Sequence, residues 1–125
     1  MLNAFLSVAI GGAIGASARF GAGVVMVRLF GSGFPVAVLA VNIVGSFLMG
    51  LFVVWSFQRG MEHWNLFVMT GVLGGFTTFS AFSLEAFTLF ERGQIGTAGL
   101  YVGLSVVLSL LGLVAGVTLA RGIWL

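Results

Sequence analysis

Four long apolar runs divide the chain, separated by short breaks that are polar or rich in glycine. A membrane-spanning helix needs roughly 20 mainly apolar residues, and each run is long enough. The first extends from about Ala4 to Phe30 and is interrupted only by Arg19. Gly31-Ser32-Gly33-Phe34-Pro35 predicts a turn, with Pro35 suited to the first position of the next helix. The second run goes from Val36 to Phe57, and Gln58 to His63 predicts a polar loop. The third goes from Trp64 to about Phe90 and ends at Glu91-Arg92-Gly93-Gln94. The fourth goes from about Thr97 to Ala120, followed by Arg121 and Trp124. Trp55, Trp64 and Trp124 fall near span ends, where indole rings anchor at the membrane surface. The pattern predicts an all-α membrane protein, residues 1–125 forming one domain of four transmembrane helices. The first run lacks a basic leading segment and is too long for a signal peptide.

Composition strengthens this reading. Of 125 residues only 6% are charged, against about 25% in a typical soluble domain. Hydrophobic residues make up 60%, and the mean hydropathy is +1.22. A soluble fold of this size needs a polar coat that this chain lacks, which excludes a soluble enzyme and a nucleic-acid binder. The pI of about 10.6 reflects a net charge of only +2 and no basic patch. With no Cys, no Asp and a single His, thiolate chemistry, an Asp-containing triad and a His-rich zinc site are all excluded.

The charges are five Arg and three Glu, and the Arg positions bear on orientation. With four spans, Arg59 and Arg121 fall on one side and Arg28 and Arg92 on the other. Positive charge in the loops normally decides which way a chain inserts. A two-against-two division leaves two readings: Arg19 or the amino terminus breaks the tie, or the chain inserts both ways and pairs as an antiparallel dimer. Small residues four apart suit close helix contact, as at Gly11 and Gly15, Gly99 and Gly103, and Gly112 and Gly116, and Ser105, Ser109, Gly112 and Gly116 line one face of the fourth span at spacings of four, three and four.

Three features inside the spans carry chemistry. Arg19 is a permanent cation at membrane depth, costing at least ~2.5–3.5 kcal/mol to insert. It is either an attractor for anions or a snorkelling side chain on a long helix. Asn42 places an amide in the second span, either as an interhelical hydrogen bond or as a donor to a desolvated anion. The third span reads Gly74-Gly75-Phe76-Thr77-Thr78-Phe79-Ser80-Ala81-Phe82-Ser83. Paired Gly and paired Thr weaken a helix there, and a break would free carbonyl oxygens that suit a small hard cation. Beyond it, Phe79 and Phe82 share a helical face, and ring edges carry partial positive charge that a small anion can meet. Glu85 is the other charged residue within a span, expected in a structural pairing. Tyr101 and Ser109 on the fourth span fit the same path.

The chain resembles the small bacterial CrcB/Fluc fluoride channels along essentially its whole length. The resemblance rests on Gly12-x-x-Gly15-Ala16-x-x-Arg19-Phe20 and on Val41-Asn42-x-x-Gly45-Ser46-Phe47-x-x-Gly50. It continues through Thr70-Gly71-x-x-Gly74-Gly75-x-Thr77-Thr78-Phe79-Ser80-x-Phe82-Ser83 and Glu91-Arg92-Gly93. It implies an antiparallel, dual-topology homodimer in the bacterial inner membrane, surrounded by lipid, with two fluoride pores. It further implies a broken third helix and a structural sodium ion held by backbone carbonyls, here those of Gly74 and Thr77. By motif position Phe79 and Phe82 look like the pore aromatics and Asn42 like the pore amide. Ser80, Ser109 and Tyr101 look like polar groups along the path, and Arg19 like the embedded arginine. Ala81 departs from the family, where Thr is common. The rival reading is a small multidrug or guanidinium exporter of dual topology. That chemistry needs a carboxylate in the first span, where this chain has Arg19. No nucleophile, base and orienter set suggests an enzyme.

Overall fold

A computed structural model of the chain describes residues 1–31 and 33–124, the side chains of Ile123 and Trp124 excepted. Ser32 of the expected turn and the indole of Trp124 therefore lie outside the described residues. The described chain is helical throughout: α1 (Leu2–Phe30), α2 (Val36–Gln58), a 3₁₀ turn (Glu62–Trp64), a π-helical segment (Leu66–Leu73), α3 (Gly74–Phe76), α4 (Phe79–Glu91) and α5 (Ile95–Trp124). Among the described residues four stretches are long and apolar enough to cross a membrane: Leu2–Phe30, Val36–Gln58, Glu62–Glu91 and Ile95–Gly122. The third is the composite one, and its two halves meet at Thr77 and Thr78.

The connections are short because the sequence ends each span abruptly. Gly60 and Gly93 adopt φ values of 66° and 81°, a region closed to most side chains. The loop expected from Gln58 to His63 is shorter than the sequence suggests: Gln58 closes α2, and Glu62–Trp64 already winds as a 3₁₀ turn. The fourth helix begins at Ile95 rather than near Thr97, directly after the Gly93 turn.

Glycines decide which helices lie together. α1 packs along the π-helical segment and α3, while α2 packs along α5. A methyl group on Gly11 would stand 2.5 Å from the Phe67 carbonyl oxygen, and one on Gly75 would stand 2.7 Å from that of Gly12. At Gly15 the added carbon would collide with the Val72 carbonyl. On the other pair it would collide with the Leu113 carbonyl at Gly50 and the Phe47 carbonyl at Gly116. The obstacles are backbone atoms, which cannot rotate away. Helix axes at this separation gain dispersion contacts along their whole length, the main attraction left when lipid is as apolar as leucine. Gly99 and Gly103 behave differently, since a methyl on either meets nothing within 4 Å.

A smaller aromatic cluster fastens α4 to α5. Phe82, Leu89, Ala98 and Tyr101 are buried together, with Phe34 and Val38 packed on them. The Tyr101 ring lies 5.4 Å from that of Phe82 and meets Phe34 edge-on at 5.6 Å.

Gly116→Val should lower stability by about 1–3 kcal/mol through overpacking against the α2 backbone. Gly21→Val, where an added carbon meets nothing within 4 Å, should leave stability unchanged. Thermal unfolding of both variants in detergent checks the contrast.

Candidate functional site

The site grows from the interruption of the third span. Thr77 and Thr78 leave helical geometry, at φ −89°, ψ 159° and φ −153°, ψ 120°. Inside a membrane such residues need replacement partners for their backbone groups, because lipid offers none. Asn42 on α2 supplies them. Its Oδ1 accepts from the Thr78 N–H at 2.8 Å, and its Nδ2 donates to the Thr78 carbonyl at 3.1 Å. Thr78 in turn caps α4, its Oγ1 accepting from the Ala81 N–H at 3.1 Å. Threonine is a favoured residue at that position for this reason. Thr77 is anchored backwards, both its N–H and its hydroxyl donating to the Leu73 carbonyl, at 3.0 and 2.9 Å.

These diversions change what the carbonyls of the break can do. In a continuous helix each carbonyl accepts from the N–H four residues on. The Thr78 N–H, which would serve the Gly74 carbonyl, goes to Asn42. The Ala81 N–H, which would serve the Thr77 carbonyl, goes to the Thr78 hydroxyl. The two oxygens named from the sequence have both lost their helical donors. The Gly75 carbonyl between them accepts instead from Arg19 Nε at 3.1 Å. Arg19 is thereby tied to the break from the α1 side. Among the described residues no group of three His, Cys, Asp or Glu could hold a metal ion. A cation at this place would find backbone oxygens, the hard ligands that sodium-like ions take.

Of the paired glycines and paired threonines that the sequence marks as weak, the break lies at the threonines. Gly74 and Gly75 still wind as part of α3, and Gly75 is small because it touches α1. Gly45 on α2 is small for a related reason, since an added carbon there would collide with the Thr77 methyl.

Beside the break a groove of about 400 Å³ opens between α2, α4 and α5. Asn42, Thr77, Thr78, Phe79, Phe82 and Ser109 line it, with Ser46 and Ser105 adding hydroxyls, and no lining side chain is charged. Phe79 and Phe82 both line it, with ring centroids 5.4 Å apart. Phe82 is buried on one side by Tyr101, whereas Phe79 is 77% exposed. The N-terminus of α4 also opens here, with orphan N–H groups and the positive end of the helix dipole.

Of the residues expected along the path, Asn42, Phe79, Phe82 and Ser109 are brought together. Two do not line the groove within this chain. Tyr101 is fully buried behind Phe82 because its ring is held between two phenylalanines, and Ser80 lies exposed beside the Thr78 hydroxyl at 3.4 Å. Arg19 lines a separate groove between α1 and α2. Glu85 is half-buried on α4. The sequence marks Ser105 only as a helix-packing position and Ser46 only as part of the family motif, neither as a group along the path. Their signal was their spacing, four residues from Asn42 and four from Ser109.

Fold and site together define a small multi-pass, all-helical membrane protein. Residues 6–117 match the family described as "CrcB-like protein, Camphor Resistance (CrcB)". A Roseobacter denitrificans protein named "Fluoride-specific ion channel FluC" is 60% identical over 126 residues, covering 99% of this chain and all of that protein. Proteins of the same name from a Ruegeria species and from Paracoccus denitrificans are 61% and 51% identical, each aligned over at least 98% of both chains. The chain belongs to the CrcB family.

Asn42→Leu should leave two Thr78 backbone groups without partners, at a cost of about 1–3 kcal/mol each. Thr78→Ala should cost about 1 kcal/mol through the lost cap, and Thr78→Ser should restore it. Thermal unfolding in detergent should rank Asn42→Leu below Thr78→Ala, with Thr78→Ser near wild type.

Proposed function

We propose that the protein is a fluoride-selective channel of the bacterial inner membrane, active as an antiparallel, dual-topology homodimer. The groove carries this reading: it gathers an amide, hydroxyls, ring edges and a helix N-terminus without one carboxylate to repel an anion. The fluoride-specific name of relatives about 60% identical over the full chain supports the choice of ion.

Fluoride is small and holds its water strongly, so a pore must offer replacement donors along its length. Binding must admit the ion without trapping it, which favours several weak sites over one strong cation. Asn42 spends one N–H on Thr78 and has a second to offer. Ser109 and Ser105 supply hydroxyls further along the wall. Phe79 and Phe82 present ring edges, which attract an anion weakly and hold water poorly. Tyr101 acts from behind, fixing the Phe82 ring, and Ser80 braces the cap of α4 through Thr78.

A second copy completes the path. The exposed Phe79 ring and the open side of the groove need a facing surface, and a chain with evenly divided arginines can supply itself in the opposite orientation. The freed Gly74 and Thr77 carbonyls suit a sodium ion where two breaks meet. When bound, that ion supplies a fixed positive charge and ties the copies together. Transport is passive. Fluoride enters a cell as neutral HF, ionises inside, and leaves as the anion down its electrochemical gradient.

In liposomes, wild type should release fluoride and retain chloride. Phe79→Ile and Phe82→Ile should each reduce fluoride efflux to the level of protein-free vesicles while crosslinking still traps the dimer. Full efflux from both variants would reject the ring-edge account. Replacing sodium with potassium on both sides should suppress efflux, and restoring sodium should recover it. A fluoride electrode reads every fluoride efflux, and a chloride electrode the retained chloride.

A further inference from the structure

A second groove of about 540 Å³ lies between α1 and α2, outside the candidate pore apart from a shared edge at Thr78. Arg19 and Arg28 line it, nine residues apart on α1, or about 14 Å along the helix axis. Between them the walls are apolar, formed by Val24 and Val27 of α1 and Val38 and Val41 of α2. No acidic side chain lines the groove. Arg28 sits in the last turn of α1, where the span ends, and is exposed. Arg19, at the deep end, is tied to the Gly75 carbonyl. Gly23 forms part of the floor, and a carbon added there meets nothing within 4 Å.

We propose that this groove holds one anionic phospholipid, with its phosphate on Arg28 and an acyl chain laid along the valine walls over Gly23. The charge is complementary: the free cation stands at headgroup depth, and the apolar trough runs inward from it. Basic pockets between transmembrane helices recognise anionic headgroups in this way. A free inorganic anion fits less well, because the valine walls would strip its water and return no hydrogen bonds. Phosphate oxygens match the planar fork of a guanidinium, so Arg28 serves better than a point charge would. The missing side chain at Gly23 gives the trough its depth, which helix propensity alone would have filled with a larger residue.

Native mass spectrometry of the detergent-purified protein tests this with phosphatidylglycerol, phosphatidylcholine and inorganic phosphate as separate probes. Wild type should retain phosphatidylglycerol about fivefold better than phosphatidylcholine, and Arg28→Gln should lose that preference, the effect of about one surface cation. Arg28→Lys should recover part of it, and Arg59→Gln, outside the groove, should behave as wild type. Gly23→Leu, at a position where an added Cβ meets nothing within 4 Å, should fill the trough and lose the bound lipid while keeping the wild-type melting temperature. Equal retention by wild type and Arg28→Gln, or lipid still held by Gly23→Leu, would overturn the proposal. So would retention of inorganic phosphate in place of lipid. A shift of Gly23→Leu from dimer to monomer would also overturn it, since a second copy would then be what covers the groove. None of these readouts depends on fluoride transport.

Discussion

The two hydrogen bonds between Asn42 and Thr78 hold the rest of the site in place. A helix can stop inside a membrane only where its unpaired backbone groups are met, and one amide side chain meets both a donor and an acceptor. Everything beside the break follows. Because Thr78 is extended, its hydroxyl can cap α4, and because α4 starts afresh there, its N-terminus opens on the groove. The same diversions free the Gly74 and Thr77 carbonyls and leave that of Gly75 for Arg19. A polar network of this kind is costly in part and stable only when complete. Its members come from α1, α2 and both halves of the third span, so no single helix could form it alone.

Glycine supplies the rigidity that such a network needs. Backbone-to-backbone contact along α1 with the third span, and along α2 with α5, leaves little room for sliding. Arg19 can reach Gly75 because Gly75 already lies against Gly12. This dependence explains which parts of the molecule were legible in its sequence. The spans were plain, since 20 apolar residues in a row admit few other readings. The groove residues Asn42, Phe79, Phe82 and Ser109 stood out as polar or aromatic positions on defined faces. The exact place of the break did not, because glycine signals both a weak helix and a close contact, and at Gly75 the contact is what it serves. The partner of Arg19 lies 56 residues away, beyond any local pattern. The π-helical winding of Leu66–Leu73 left no trace that propensity could read. The burial of Tyr101 depends on Phe34, in the turn between α1 and α2, and Phe82 of α4 closing on it.

The surface arginines follow one simple rule. Arg28 and Arg121 sit in the last turns of α1 and α5, while Arg59 and Arg92 cap the ends of α2 and α4. A cation at a helix C-terminus is favoured by the dipole, by about 0.3–1 kcal/mol in exposed settings. Consecutive spans run in opposite directions, so one cation at the end of each span places two on either face. Local helix electrostatics thus cancels the charge bias by which membranes orient a chain. The even division is a by-product of finishing every helix in the same way.

The groove beside Phe79 contains amides, hydroxyls, methyls and rings, and no lining group gains or loses a proton between about pH 4 and pH 9. Its dipoles are therefore the same in acid surroundings as in neutral ones. A weak acid crosses membranes fastest when the outside is acidic, so that is when its anion accumulates within. A pathway gated by a histidine or a carboxylate would change character under that condition. One lined by fixed dipoles keeps the same affinity throughout, and needs no sensor to be ready when the medium sours.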